Sequence, residues 1–232
     1  MPYRRLPNTD KARIRSLEML LSYMRDNLAY QPVVPVNLKV HAEKILRDFK
    51  ALSLNYNAAL DRQNEFSRNE TYRTRRKNAR MYVSHYLTVL YLSSKRGEVK
   101  NSMAEYGIDV SKGALPDLSS DAGIIRCCEN TIRLEKARQA TGGIPVYNPT
   151  IAKVTVHYDL FRDSWQKHAG LKRETDSILA QVAALRPEID SVILEAWDSI
   201  EKFFAGENPE TRLLKCQQCG VIYYYRKGEK TD

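Results

Sequence analysis

Residues 36–96 form a run of 61 residues that contains neither glycine nor proline. A β-sandwich or barrel needs a turn signal about every 8–12 residues, so neither fold accommodates this stretch. Helix is what remains. The apolar positions agree, because Leu38, Ala42, Ile45, Leu46, Phe49, Leu52, Tyr56, Ala59 and Leu60 recur at helical spacing behind a cap at Asn37. A single helix over 37–96 would be about 90 Å long at ~1.5 Å per residue. A domain of this size has a radius of gyration of roughly 17 Å, so the stretch is expected to reverse. The best break lies in 64–70, where Ser67 and Glu70 have the spacing of a capping box. The returning arm, about 68–96, would turn Ala79, Tyr82, Val83, Tyr86, Leu87, Leu90 and Tyr91 inward.

The flanking segments extend the helical reading. Asn8, Thr9 and Asp10 supply cap material for a first helix with apolar residues at 14, 17, 20, 21, 24 and 28. Pro32 and Pro35 then keep the chain extended. Most of the glycines fall in 97–148, around a short helix at about 120–138. Asn148 and Pro149 read as N-cap and first helical residue, and the helix they open meets Pro187, which either kinks it or starts a fresh one. Segments 36–98 and 148–210 are equal in length and similar in pattern. The expected fold is therefore all-α, with two related helical hairpins packed as a four-helix bundle. Within a single domain, 1–36 is an N-terminal helix and extended segment, and 37–96 the first hairpin. A loop-rich crossover (97–148), the second hairpin (149–206) and a tail (207–232) follow. Val221 to Tyr225 give the tail a short extended strand.

Charge is distributed unevenly. The net +9 is the sum of about +11 over residues 1–100 and about −2 over the rest. The densest basic stretch holds Arg68, Arg73, Arg75, Arg76, Lys77 and Arg80. On a helix Arg73, Lys77 and Arg80 share a face, with Arg76 beside them. Two readings stand: a solvated face paired with the acidic second half, or a row that neutralises an acidic partner or the phosphates of a nucleic acid. The four cysteines are too few for a disulfide scaffold, and no apolar run approaches the ~20 residues of a bilayer span. A cytoplasmic protein without membrane association is expected.

Motifs for catalysis are missing from the sequence. No Glu-x-x-His of a di-iron bundle, His-Glu-x-x-His, Walker A loop, Gly-x-Gly-x-x-Gly or Gly-x-Ser-x-Gly occurs. Cys216 and Cys219, followed by Gly220, have the form of half a zinc ribbon. Cys127 and Cys128 could complete four ligands only if the tail folded back on the 120–138 helix. Two ordinary thiols near a helix end, with no cofactor, is the simpler reading. His157 and His168 fall on or beside the apolar stripe and read as packing residues. Tyr223 and Tyr225 share one face of the tail strand and could meet a partner.

The second half resembles a family of uncharacterised bacterial all-helical proteins of tandem helical-hairpin type. The matching residues are Tyr106-Gly107, Leu115 to Leu118, Arg138, Gly142 to Pro145, Asn148-Pro149, Arg186 to Asp190, Trp197, Glu201 and Gly220 to Tyr223. The resemblance covers about half the chain, excludes the cysteine pair, and implies a helical fold without assigned activity or cofactor. The expectation for function is a non-enzymatic binding or structural module with a protein partner, a homodimer included. Nucleic-acid binding through 68–80 is the alternative, and a metal or redox role at Cys216 and Cys219 a second one.

Overall fold

A computed structural model of the protein describes residues 3–27 and 32–225. The elements in order are β1 (Tyr3–Arg4), α1 (Asp10–Asp26), α2 (Val36–Arg68) and α3 (Glu70–Lys95), then a single 3-10 turn at Met103–Tyr106. They continue with α4 (Asp121–Ala140), α5 (Ile151–Phe203), α6 (Pro209–Gln218) and β2 (Tyr223–Tyr224). The all-α class, the N-terminal helix and the short C-terminal strand are as the sequence predicts. Local chemistry sets the helix starts. Thr9 Oγ1 accepts from Ala12 N at 3.2 Å, Ser120 Oγ from Gly123 N at 3.0 Å and Asn208 Oδ1 from Thr211 N at 2.8 Å. Each satisfies an orphan donor of the first turn.

Where one domain was expected, the chain divides into two compact units: Met1–Ala59 with Glu174–Asp232, and Leu60–Arg173. The boundaries fall inside α2 and α5, and each unit has its own core.

The first unit buries Leu17 and Leu20 of α1, Ile45 and Phe49 of α2, and Ile189, Ile193, Trp197 and Ile200 of α5. Cys216 and Cys219 complete it from α6 and its C-cap. The two ends of the chain close over this core. β1 and β2 pair antiparallel, with Tyr3 opposite Tyr224 and Arg4 opposite Tyr223, and Arg4 forms an ion pair with Asp198. Beneath them, Trp197 Nε1 donates to Ser16 Oγ at 3.2 Å, and Ser16 Oγ donates to Gly220 O at 2.8 Å. This buried chain links α5, α1 and the turn after α6.

The second unit buries Ala79, Val83, Tyr86, Leu87 and Leu90 of α3, Ile124, Ile125, Cys128 and Ile132 of α4, and Val154, Tyr158 and Phe161 of α5. Met103 and Tyr106 cap it from the 3-10 turn. Along α3 and α5, Tyr72 meets Phe161 and Tyr82 stacks on His157 at 4.1 Å between ring centroids.

Several expectations need correction. Segment 149–206 is no hairpin, because α5 is one unbroken helix of 53 residues that carries Pro187 inside it. Pro187 forfeits one backbone hydrogen bond, yet Ile189, Val192, Ile193 and Trp197 all lie beyond it in a core, so burial carries the helix through. The first long stretch does break where expected, but Asn69 is the cap, accepting from Thr71 N at 2.8 Å. Ser67 Oγ instead donates back to Asn64 O at 2.8 Å. The arms also serve different cores: α2 buries Leu38 to Phe49 in the first unit, and α3 buries Ala79 to Leu90 in the second. Two matched hairpins in one four-helix bundle therefore do not describe the molecule. Asn37 lies inside α2. The peptide before Pro149 is cis and α5 starts later, at Ile151, with Thr150 Oγ1 accepting from Lys153 N at 3.3 Å. The Asn-Pro start expected at 148–149 occurs at Asn208 and Pro209, opening α6 inside what was read as a tail.

Gly220 has φ +87°, and a Cβ there would press into the carbonyl oxygen of Ser16. Gly220→Ala is expected to cost about 3 kcal/mol, from the left-handed backbone and the forced overlap together. Urea unfolding checks this; a loss below about 1 kcal/mol would show that the turn is not held against α1.

Candidate functional site

The basic stretch lies at the start of α3, and the structure sorts its members into two groups. Arg75 donates to Ser164 Oγ at 2.8 Å. Arg76 forms an ion pair with Asp121 and donates to Ser119 O at 2.6 Å. Tyr72 OH reaches the other oxygen of Asp121 at 2.6 Å. These contacts fasten the first turn of α4 and one side of α5 to α3. Arg76, expected in the partner-facing row, is thus largely engaged internally. Arg73, Lys77 and Arg80 are exposed, as is Arg68 beside the cap. Among the described residues Arg68, Arg73, Lys77 and Arg80 form no ion pair. Arg73, Lys77 and Arg80 rise along the helix by about 6 and then about 4.5 Å. Asp117 lies near Arg80, and its carboxyl is held below its ordinary value by Ser119 first and by Arg80 and Arg126 further.

The strongest polar cluster was not anticipated. Glu135 of α4 is fully buried, and each of its oxygens accepts two hydrogen bonds. Oε1 accepts from Tyr106 OH at 2.8 Å and Arg138 Nε at 2.9 Å. Oε2 accepts from Arg138 Nη2 at 2.8 Å and from Tyr86 OH. Burial alone would push this carboxyl up, but the four donors and the Arg138 charge leave it below its ordinary value. Both phenols are pushed up, by burial and then by bonding to the carboxylate. All four polar side chains are thereby matched to one another, which is the signature of a structural knot. The sequence held a signal for it: Glu135 falls on the stripe of Cys128 and Ile132, where an apolar residue belongs, with Arg138 one turn on.

Cys216 and Cys219 are fully buried in the first unit, and Cys127 and Cys128 are buried in the second. Among the described residues no three His, Cys, Asp or Glu side chains gather as a metal site. Burial pushes the Cys219 thiol up to about 12, with the neighbouring Cys216 adding to it, and burial likewise raises Cys216. Tyr223, expected at an interface, is turned inward, its OH donating to Glu201 Oε1 at 2.7 Å. Tyr225 is exposed, as is Tyr224. His157 stacks on Tyr82 and His168 on Phe66, as packing residues do. No helix among the described residues is long and apolar enough to cross a membrane. Comparison with family models, curated proteins and solved structures finds no match to this chain.

The buried thiols give a direct test of the cysteine pair. In native protein at about pH 8, an aromatic disulfide reagent is expected to leave all the cysteines unlabelled over minutes and to label all of them in denaturant. Prompt native labelling of two thiols that is lost in the Cys216→Ser, Cys219→Ser variant would establish a reactive pair there.

Proposed function

We propose that the protein is a non-enzymatic helical binding module that docks an acidic protein partner on the face of α3 formed by Arg73, Lys77 and Arg80. The observation behind this is the sorting of the basic stretch. Arg75 and Arg76 hold the fold together, while Arg73, Lys77 and Arg80 of the same stretch stand in solvent and form no ion pair among the described residues. A row needed only for solubility has no reason to gather at one helix start. Protein is favoured over nucleic acid because Asp117 stands near Arg80 and Glu70 precedes Arg73 by three residues in the first turn of α3. They interrupt the continuous positive track that a phosphate backbone requires, whereas separate carboxylates meet separate cations well. On this reading the protein acts in the bacterial cytoplasm, in keeping with the uncharacterised helical family it resembles.

Fluorescence anisotropy with a labelled polyglutamate peptide and a short DNA duplex tests the proposal. The peptide is expected to bind with an affinity that falls with salt. The triple variant Arg73→Glu, Lys77→Glu, Arg80→Glu should weaken it roughly thirtyfold, from about 0.7 kcal/mol for each reversed exposed charge. Peptide binding untouched by the reversal would overturn the assignment. Tighter binding of the duplex than of the peptide would transfer the row to nucleic acid.

A further inference from the structure

A cavity of about 320 Å³ opens in the first unit where the start of α1 faces the middle of α2. Its walls are apolar, made by Ile14, Leu54, the Tyr56 side chain and, from α5, Val182. Leu54 is 67% exposed at the cavity. The volume lies at the small end of the ~300–1,000 Å³ typical of ligand sites and has room for about ten water-sized units.

The charges around it do not balance. Asp10 accepts from Nε and Nη2 of Arg186, at 2.9 and 2.8 Å, and has a longer contact with Arg13 at 3.4 Å. Arg13 is itself held by Asp190 at 2.7 Å, and Lys50 by Glu18 at 2.6 Å. Lys11 also lines the cavity, and among the described residues it has no ion pair. One positive charge is thus left over beside an apolar hollow, and the first turn of α1 adds its own positive end. Ser53 lines the cavity as well, with its hydroxyl shielded from solvent and so not open to the space.

From this geometry we infer a binding site for a small monocarboxylate with an apolar or aromatic body. The body fills the space between Ile14, Leu54, Tyr56 and Val182, and the carboxylate faces Lys11. A dianion lacks a second free cation here, and a neutral apolar molecule leaves Lys11 unused. The site is separate from the α3 face and stands independently of its assignment.

Two-dimensional NMR titration of the full chain with phenylacetate and with its neutral isostere phenylacetamide tests the inference. Saturable shifts are expected in the first turn of α1 and around Ser53 and Leu54. Phenylacetate should bind about fivefold more tightly than the amide, the size of one partly exposed charge pair. Lys11→Gln, at an exposed position, should remove that preference and leave amide binding unchanged. Leu54→Trp, which fills the mouth from an exposed site, should weaken both. The inference is overturned by no saturable shift with phenylacetate, by equal affinity for the two compounds, by a preference that survives Lys11→Gln, or by binding indifferent to Leu54→Trp.

Discussion

One buried carboxylate holds the second unit in register. Glu135 accepts from the 3-10 turn through Tyr106, from α3 through Tyr86 and from its own helix through Arg138. A carboxylate moved out of water costs several kcal/mol even after relaxation, so it is tolerable only with its lone pairs filled, as they are here. The bonds are directional, and each donor comes from a defined place on its element. Sliding α3 along α4 would strand the charge, whereas purely apolar neighbours such as Leu87 and Ile132 could repack. Because the folded carboxyl lies below its ordinary value, the stability it supplies is complete above that value. It is lost as pH falls through the lower, folded one.

The first unit meets the same need with neutral groups and paired surface charges. Its elements come from both ends of the chain, so closing it requires long-range contacts. These are made by the strand pair, by the Trp197, Ser16 and Gly220 relay, and by Asp10 between Arg186 and Arg13. Both units thus use polar contacts to fix alignment and apolar burial to supply most of the stabilisation. The basic excess is divided in the same way. Arg4, Arg13, Arg76, Arg138 and Arg186 are structural clamps, whereas Arg73, Lys77 and Arg80 remain exposed on α3.

Much of this was legible in the sequence. Apolar spacing located α1, the two arms around residue 69, and α4, since a buried face leaves its period in the chain. The second hairpin was expected because 148–210 matches 36–98 in length and pattern, and such a match assumes one shared core. Nothing in the stripe of α5 shows that Phe161 and Ile193 belong to different ones. Pro187 looked like a boundary because the proline penalty is local, while the burial that outweighs it comes from distant residues. Asn148 and Pro149 carried the right cap chemistry in the wrong backbone, and the same pair at 208–209 went unread. Tyr106, Arg138, Trp197, Glu201 and Gly220 all sit in hydrogen-bonded knots or a forced turn. The exposed row was readable as a helical face, but Arg76 could not be separated from it until its carboxylate partner, 45 residues away, was placed.

The second unit therefore rests on a charge that folding keeps buried and ionised. Carbon-detected NMR titration of the Glu135 side-chain carboxyl in the intact protein tests it most directly. The carboxyl is expected to stay ionised as pH falls past the ordinary glutamate value of 4.5 and to titrate only below it. A midpoint above 4.5 would contradict the account, since it would mean that desolvation outweighs the four donated hydrogen bonds and that Glu135 does not organise the unit.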